Sequence, residues 1–216
     1  VPADDWLDCL LDAQRRSGAD VVVGATSPVF PAGTPDWIAA TGFFDKPQQP
    51  ESLGELDPDP PAATCNVLVR ARLFEDPSNR FDPALSLSGG EDKLLFQHLK
   101  LRGARFAWAG NARASEYFPA ERATLGYMWR EAYRRGNVKF LVKRRLKSQS
   151  AAKSVWIALR LLLRSAARLL RDTLLALVNL TGGHTAWVPR VLQVADSLGT
   201  IAGVLRLQNR HYREGH

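Results

Sequence analysis

Residues 154–180 are rich in Leu, Ile, Val and Ala, yet Arg160, Arg164, Arg168 and Arg171 recur through them at spacings of four, four and three. At the helical period those spacings put all four guanidiniums on one face, with Ile157, Leu161, Leu162, Leu169 and Leu175 largely elsewhere. A membrane span is the simplest fate for so apolar a segment, and the arginines argue against it. Each would cost roughly 2.5–3.5 kcal/mol near the bilayer centre on the mildest scale. Laid in the interface, the same face meets anionic headgroups at about 1 kcal/mol of attraction per charge. A helix packing its apolar side on its own protein fits the pattern equally well. The flanking run Lys143-Arg144-Arg145-Leu146-Lys147 favours the membrane surface. A second apolar stretch, 186–205, carries Pro189, Arg190 and Asp196, so it is no clean span either. Its Gly199-x-x-x-Gly203 would let two helices approach closely.

The charge is segregated. Residues 1–120 hold 11 Lys/Arg against 17 Asp/Glu, residues 121–172 hold 14 against 3, and residues 173–216 hold 4 against 2. The net charge of +7 is therefore one basic block, and such a block seeks phosphates on nucleotides, nucleic acid or lipid headgroups. With 45% hydrophobic and 24% charged residues, wholesale disorder is excluded. The two cysteines, Cys9 and Cys65, form no Cys-x-x-Cys, which argues against a disulfide scaffold or zinc finger and for a reducing setting.

Before Pro119 the chain alternates helix and strand. A helix over 5–18 has Asp4 or Asp5 as N-cap, Leu7, Leu10 and Leu11 on one face, and Gly18 as its stop. Residues 19–24 read as a buried strand. Residues 27–63 hold most of the prolines, with Pro58, Pro60 and Pro61 in quick succession, and form a long irregular stretch. Strands follow at 64–69, 105–108 and 112–117, with a helical turn near Leu73 and a helix over 90–102. After Pro119 the pattern is helical, broken at Gly182-Gly183 and at Pro189. This order argues an α/β domain followed by a helical tail, divided as 1–147 and 148–216.

Ser88-Gly89-Gly90-Glu91-Asp92 opens the helix 90–102, and two readings stand side by side. In one, Ser88 caps and Glu91 answers three residues on, a capping box with Asp92 favoured by the positive helix end. In the other, two glycines let a substrate approach the backbone, and a carboxylate in the first turn is held as a general base for a hydroxyl.

Thr64-Cys65-Asn66-Val67-Leu68-Val69-Arg70, Phe81-Asp82-Pro83 and Gly89-Gly90-Glu91-Asp92 together resemble the second half of bacterial family 2 glycosyltransferases. So do Leu99, Gly103, Trp108, Ala112, Glu116, Pro119, Glu121-Arg122 and Arg130 through Gly136-Asn137, in that order. Pro2-Ala3, Trp6-Leu7 and residues 19–24 look like the stretch after that family's metal-binding Asp-x-Asp. The likeness covers about residues 1–147, and Gly199 to Gly203 looks like membrane-associated tails of such enzymes.

The resemblance implies a partial GT-A-like (Rossmann-like) domain with an amphipathic, membrane-associated tail. It implies inverting transfer of a sugar from a nucleotide-diphosphate donor to a glycan or lipid-linked acceptor. Asp92 would match the catalytic base, with Glu91 holding the acceptor or the helix cap. Asn66, Gly89 and Gly90 would line the substrate, and Arg122, Arg130 and Arg134 would face the diphosphate; each arginine also reads as part of a solvated basic face. Glu116 falls where relatives carry a group near the metal, and equally reads as a satisfied strand-end carboxylate. The divalent metal (Mg or Mn) is expected mainly through an Asp-x-Asp that this chain lacks. Asp57-Pro58-Asp59 matches the letters but reads as loop, and Asp4-Asp5 reads as capping.

Among the aromatics, Trp37 is the best sugar-stacking candidate because it lies in the long loop, while Trp6, Phe43 and Phe44 read as core or staple. Trp129, Trp156 and Trp187 suit helix packing or an interfacial belt. The expected location is the cytoplasmic face of the inner membrane, peripheral or partly embedded, with an anionic membrane surface as partner and no nucleic acid. Opening on a helix cap, without an initiator Met or a preceding strand, the chain reads as the downstream part of something longer, inactive alone. The alternative is a non-catalytic binding or anchoring module, in which 121–172 binds anionic lipid or nucleic acid.

Overall fold

In the computed structural model, which describes residues 1–46, 63–85, 88–147 and 150–205, the β-branched run at Val21 becomes the centre of a small sheet. The Asp57-Pro58-Asp59 triplet and the prolines around it lie outside the described residues. The chain divides into two units. Unit 1 comprises Val1–Phe30, Phe44–Asp82 and Glu91–Phe118; unit 2 comprises Pro31–Phe43, Pro83–Gly90 and Pro119–His216.

In unit 1, α1 (Trp6–Ser17) leads into β1 (Val21–Val29), and β2 (Val67–Val69), α3 (Glu91–Leu101) and β3 (Phe106–Tyr117) follow. The described sheet has the order β2–β1–β3, with β2 antiparallel to β1 and β3 parallel to it. Side chains alternate between the faces of a strand. Val21, Val23, Phe106 and Trp108 therefore pack with Leu95, Phe96 and Leu99 of α3. Val22, Ala107 and Ala109 pack with Cys9, Leu10 and Ala13 of α1. A strand covered on both faces needs an unbroken apolar run, which is what Val21 to Val23 supply.

Three details depart from the sequence expectations. The two strands expected at 105–108 and 112–117 are one. Gly24 pairs with Ala109 but Ala25 pairs with Arg113, so β3 carries extra residues between them and continues to Tyr117. On α1 the inward face is Cys9, Leu10 and Ala13, with Trp6 packed beside them, while Leu7 is left exposed. Trp6, three and four residues before Cys9 and Leu10, covers the ground that Leu7 was expected to hold. Asp5 does occupy the N-cap position, but its side chain makes no cap hydrogen bond and instead accepts from Cys9 Sγ at 3.6 Å. Gly18 closes the helix in the left-handed conformation (φ 62°) as expected.

Unit 2 contains α2 (Asp36–Ala40), α4 (Leu125–Lys147), α5 (Ala151–Val178) and α6 (His184–Val204). α4 starts later than Pro119 because Thr124 caps it, its Oγ1 accepting from Tyr127 N at 3.2 Å. The contact of α4 with α6 is made by backbone. A Cβ at Gly136 would run into the Asp196 carbonyl, one at Gly199 into that of Tyr133, and one at Gly203 into that of Asn137. The Gly199-x-x-x-Gly203 spacing thus provides the close approach it suggested, and Lys139 Nζ to Asp196 Oδ1, at 2.6 Å, pins the same crossing. Pro189, expected to break the helix, lies inside α6. Its ring removes one backbone bond in the second turn, but Val188, Leu192 and Ala195 around it are buried, and that packing outweighs the local preference. Asp172, fully buried on α5, pairs with Arg171 at 2.9 Å and Arg190 of α6 at 3.6 Å. Among the described residues, no helix is long and apolar enough to cross a membrane.

Gly199→Ala should destabilise unit 2 by about 2 kcal/mol, since even a methyl must push α4 and α6 apart. Gly126→Ala, whose Cβ would meet only Arg130 Nη1 at 3.6 Å, should leave stability unchanged or raise it. Urea unfolding of the two variants checks the contrast; equal effects would contradict the backbone contact.

Candidate functional site

The entrance to α3 is shaped by its two glycines. Gly89 and Gly90 have φ of 78° and 91°, conformations that favour residues without a Cβ. Two such residues in succession turn the chain sharply between Ser88 and Glu91. The amides of Ser88 and Gly89 both donate to the Leu85 carbonyl, at 3.1 and 2.7 Å. Ser88 Oγ also turns to that carbonyl, at 3.5 Å. The capping box is therefore not formed. It would need Glu91 three positions into the helix, whereas Glu91 is the first helical residue.

Glu91 and Asp92 consequently share the first turn of α3, where backbone N–H groups lack helical partners. Asp92 Oδ1 accepts from the amide of Lys93 at 2.7 Å. Glu91 Oε2 is buried and has no hydrogen-bond partner among the described residues. A buried carboxylate oxygen without a donor is costly, and a donor brought by a ligand would relieve it.

Within unit 2, Arg134 holds the glycine turn. Its Nη1 donates to the Ser88 carbonyl at 3.0 Å, and a Cβ on Gly89 would collide with that nitrogen. A Cβ on Gly90 would press on Val138 at 3.4 Å. The rest of the guanidinium grips Glu131 in a fork, Nε to Oε2 and Nη2 to Oε1, both at 2.7 Å, and Arg135 Nε adds a bond at 2.9 Å. Burial works against the charge on Glu131, but the hydrogen bonds and charge of Arg134, with those of Arg135, prevail and hold its carboxyl below the ordinary range. Arg130, one turn before Arg134, is exposed and has no ion-pair partner among the described residues. Arg122 precedes α4 rather than lying on it, with its guanidinium 6.0 Å from the Tyr127 ring centre. Trp37 is stacked on His184, centroids 4.9 Å apart and 16° from parallel, and His184 lies 5.6 Å from Trp187.

Asn66 and Glu116 belong to unit 1. Asn66 is buried, its Nδ2 donating to the carbonyls of Ala25 and Ala112 at 2.7 and 2.9 Å, while Oδ1 accepts from Trp6 Nε1 at 2.7 Å. A substrate contact at this amide would have to replace one of these bonds. Glu116, near the end of β3, has Oε2 at 3.4 Å from Lys46 Nζ. No group of three or more His, Cys, Asp or Glu side chains among the described residues could hold a metal ion, and a carboxylate facing an ammonium is a poor start for one.

The structure thus brings Glu91 and Asp92 into one turn and sets Arg134 against Ser88 and Gly89, while Gly90 meets Val138 instead. Within unit 1, Asn66 and Glu116 each stand in surroundings of their own. Sequence reasoning passed over Glu131, although its spacing of three and four to Arg134 and Arg135 was the available signal. It also passed over His184 and Lys46, for which no local pattern existed.

Comparison with known proteins gives one informative likeness. Over 132 residues this chain is 30% identical to the succinoglycan biosynthesis protein ExoM of Rhizobium meliloti (strain 1021), covering 61% of this chain and 41% of that protein. The chain thus spans less than half the length of that relative. No family model matches the chain, and no solved structure does.

Since folding lowers the Glu131 carboxyl below its unfolded value, its stabilising contribution is full above about pH 4.3 and is lost as pH falls through the folded value. Glu131→Gln should cost about 2 kcal/mol at neutral pH. The difference should shrink as acid protonates the parent, which urea unfolding across the acid range would show. A pH-independent difference would contradict the pairing.

Proposed function

We propose that this chain is part of an enzyme that transfers a sugar, with inversion, from a nucleotide-diphosphate donor to an acceptor hydroxyl during glycan biosynthesis. The observation that carries the reading is the Glu91–Asp92 pair in the first turn of α3, taken with the likeness to a protein named for succinoglycan biosynthesis. Family 2 membership and a GT-A-like domain belong to the same proposal, supported by the ordered run of motifs from Asn66 to Asn137.

In this reading Asp92 takes the proton of the acceptor hydroxyl as its oxygen attacks the anomeric carbon. The new bond forms on the face opposite the bond to the diphosphate, which leaves with its electron pair. Glu91 Oε2, without a hydrogen-bond partner among the described residues, accepts from an acceptor hydroxyl and so orients it. The developing charge on the diphosphate calls for cations. Arg130 and Arg122 have guanidiniums uncommitted to ion pairs among the described residues, whereas Arg134 is committed to Glu131 and Ser88. The described residues do not themselves fit a divalent metal. In the proposal Mg or Mn is held by an Asp-x-Asp that they do not contain, with Glu116 at most an auxiliary group. The donor half is likewise supplied from outside these residues.

A second reading, a non-catalytic binding or anchoring module, is favoured by one observation: Arg164 and Arg168 are exposed on α5 with no ion-pair partner among the described residues. The two readings differ in turnover. In the complete enzyme, Asp92→Asn should lower kcat by about 10²–10⁴-fold while leaving the donor Kd unchanged. Turnover at the parent's rate would overturn the assignment of the base.

A further inference from the structure

Helix α5 is apolar on two opposite sides. Its buried residues, Ile157, Leu161, Ser165, Asp172 and Ala176, advance by four, four, seven and four. Val155, Leu159, Leu163, Leu170 and Leu174 repeat those steps two residues earlier, and Leu177 continues the line. Two residues are about 200° of helix, so the second line runs opposite the first. Its six members are between 54% and 67% exposed, against 7% for Ile157 and 8% for Leu161. The leucines that face outward are therefore not the residues singled out beside the arginines in the sequence, of which Ile157 and Leu161 pack inward.

The exposed line extends about 33 Å, longer than the scattered apolar residues of an ordinary surface. Arg160 and Arg171 run along one flank of it, and Arg164 and Arg168 lie further round, toward the packed side. Arg171 is paired with Asp172, and Arg160 lies over the Trp156 ring at 5.1 Å. Arg164 and Arg168 have no ion-pair partner among the described residues. Trp156, itself 57% exposed, borders the line at its N-terminal end.

A leucine line asks for an apolar partner, and the arginine flank asks for an anionic one. A second copy of α5 meets the first demand but not the second, because the one acidic residue of this helix, Asp172, is buried. An anionic bilayer meets both. Acyl chains take the leucines, headgroups take the guanidiniums on stems long enough to reach them, and the indole suits the boundary. We propose that the exposed stripe of α5, from Val155 to Leu177, is a docking surface for an anionic lipid bilayer, on which the helix lies without crossing. This inference does not rest on the sugar-transfer reading, since vesicle binding needs no turnover.

The test is co-sedimentation of the full chain with vesicles of phosphatidylglycerol, and with vesicles of phosphatidylcholine alone. Binding to phosphatidylglycerol is expected, at least tenfold tighter than to phosphatidylcholine, given about fivefold per engaged arginine. Leu163→Glu with Leu170→Glu should reduce it more than tenfold while circular dichroism stays unchanged, because both side chains are exposed. Arg160→Gln with Arg164→Gln should weaken binding and flatten its salt dependence. Failure to sediment with phosphatidylglycerol would overturn the proposal. Undiminished binding by the leucine variant would also overturn it, by assigning the attraction to charge alone. So would a solution dimer that the leucine variant dissociates, or DNA binding without vesicle binding. Should the leucine variant misfold, bimane attached at Leu163→Cys in a chain with its native cysteines replaced by Ser gives the same answer. A blue shift on adding phosphatidylglycerol supports burial in lipid, and no shift contradicts it.

Discussion

The buried amide of Asn66 ties three elements of unit 1 at one point. It receives the indole N–H of Trp6 on α1 and donates to a carbonyl on each of β1 and β3. The two carbonyls, Ala25 and Ala112, flank the place where the β1–β3 register jumps, so the amide fills the gap that the jump opens in the hydrogen-bond ladder. Only glycine at position 24 permits this, because a Cβ there would sit 2.5 Å from both the Asn66 Nδ2 and the Ala112 oxygen. An unsatisfied group at this depth would cost about 1–3 kcal/mol, and three are satisfied at once. The second half of β3, with Glu116, takes its register from this knot.

Unit 2 rests on a different device. Three glycines remove side chains from the α4–α6 crossing, so backbone meets backbone, and α4 is thereby a firm platform for Arg134. Arg134 in turn holds the Ser88 carbonyl, and the Ser88–Gly90 turn runs covalently into the first residue of α3. Glu131 keeps the guanidinium fork aimed. Arg134, a diphosphate candidate in the sequence, thus also holds the Ser88–Gly90 turn.

Much of this was legible where local chemistry and long-range packing agree. The Val21 to Val23 run, the helix stopped by Gly18 and the helix opened after Gly90 are all present. The misreadings fall where tertiary structure overrides a local sign. Pro189 survives inside α6 because its neighbours are buried, and β3 continues through Gly110 because Asn66 bridges the irregularity. The capping box failed on a single offset, since two left-handed glycines moved the helix start to Glu91. The arginine ladder was visible in the sequence. The leucine line opposite the packed face was not, because either of two lines with identical steps could have turned inward.

The central claim is that Glu91 and Asp92 serve sugar transfer, and the direct measurement is the product itself. The complete protein would be incubated with a panel of UDP-, GDP- and dTDP-sugars and a membrane fraction containing lipid-linked acceptors. The anomeric configuration of any newly attached sugar would then be read by nuclear magnetic resonance. The account predicts attachment of one donor's sugar, with configuration opposite to that in the donor. Attachment with retained configuration, or no transfer from any donor by a folded protein, would contradict it.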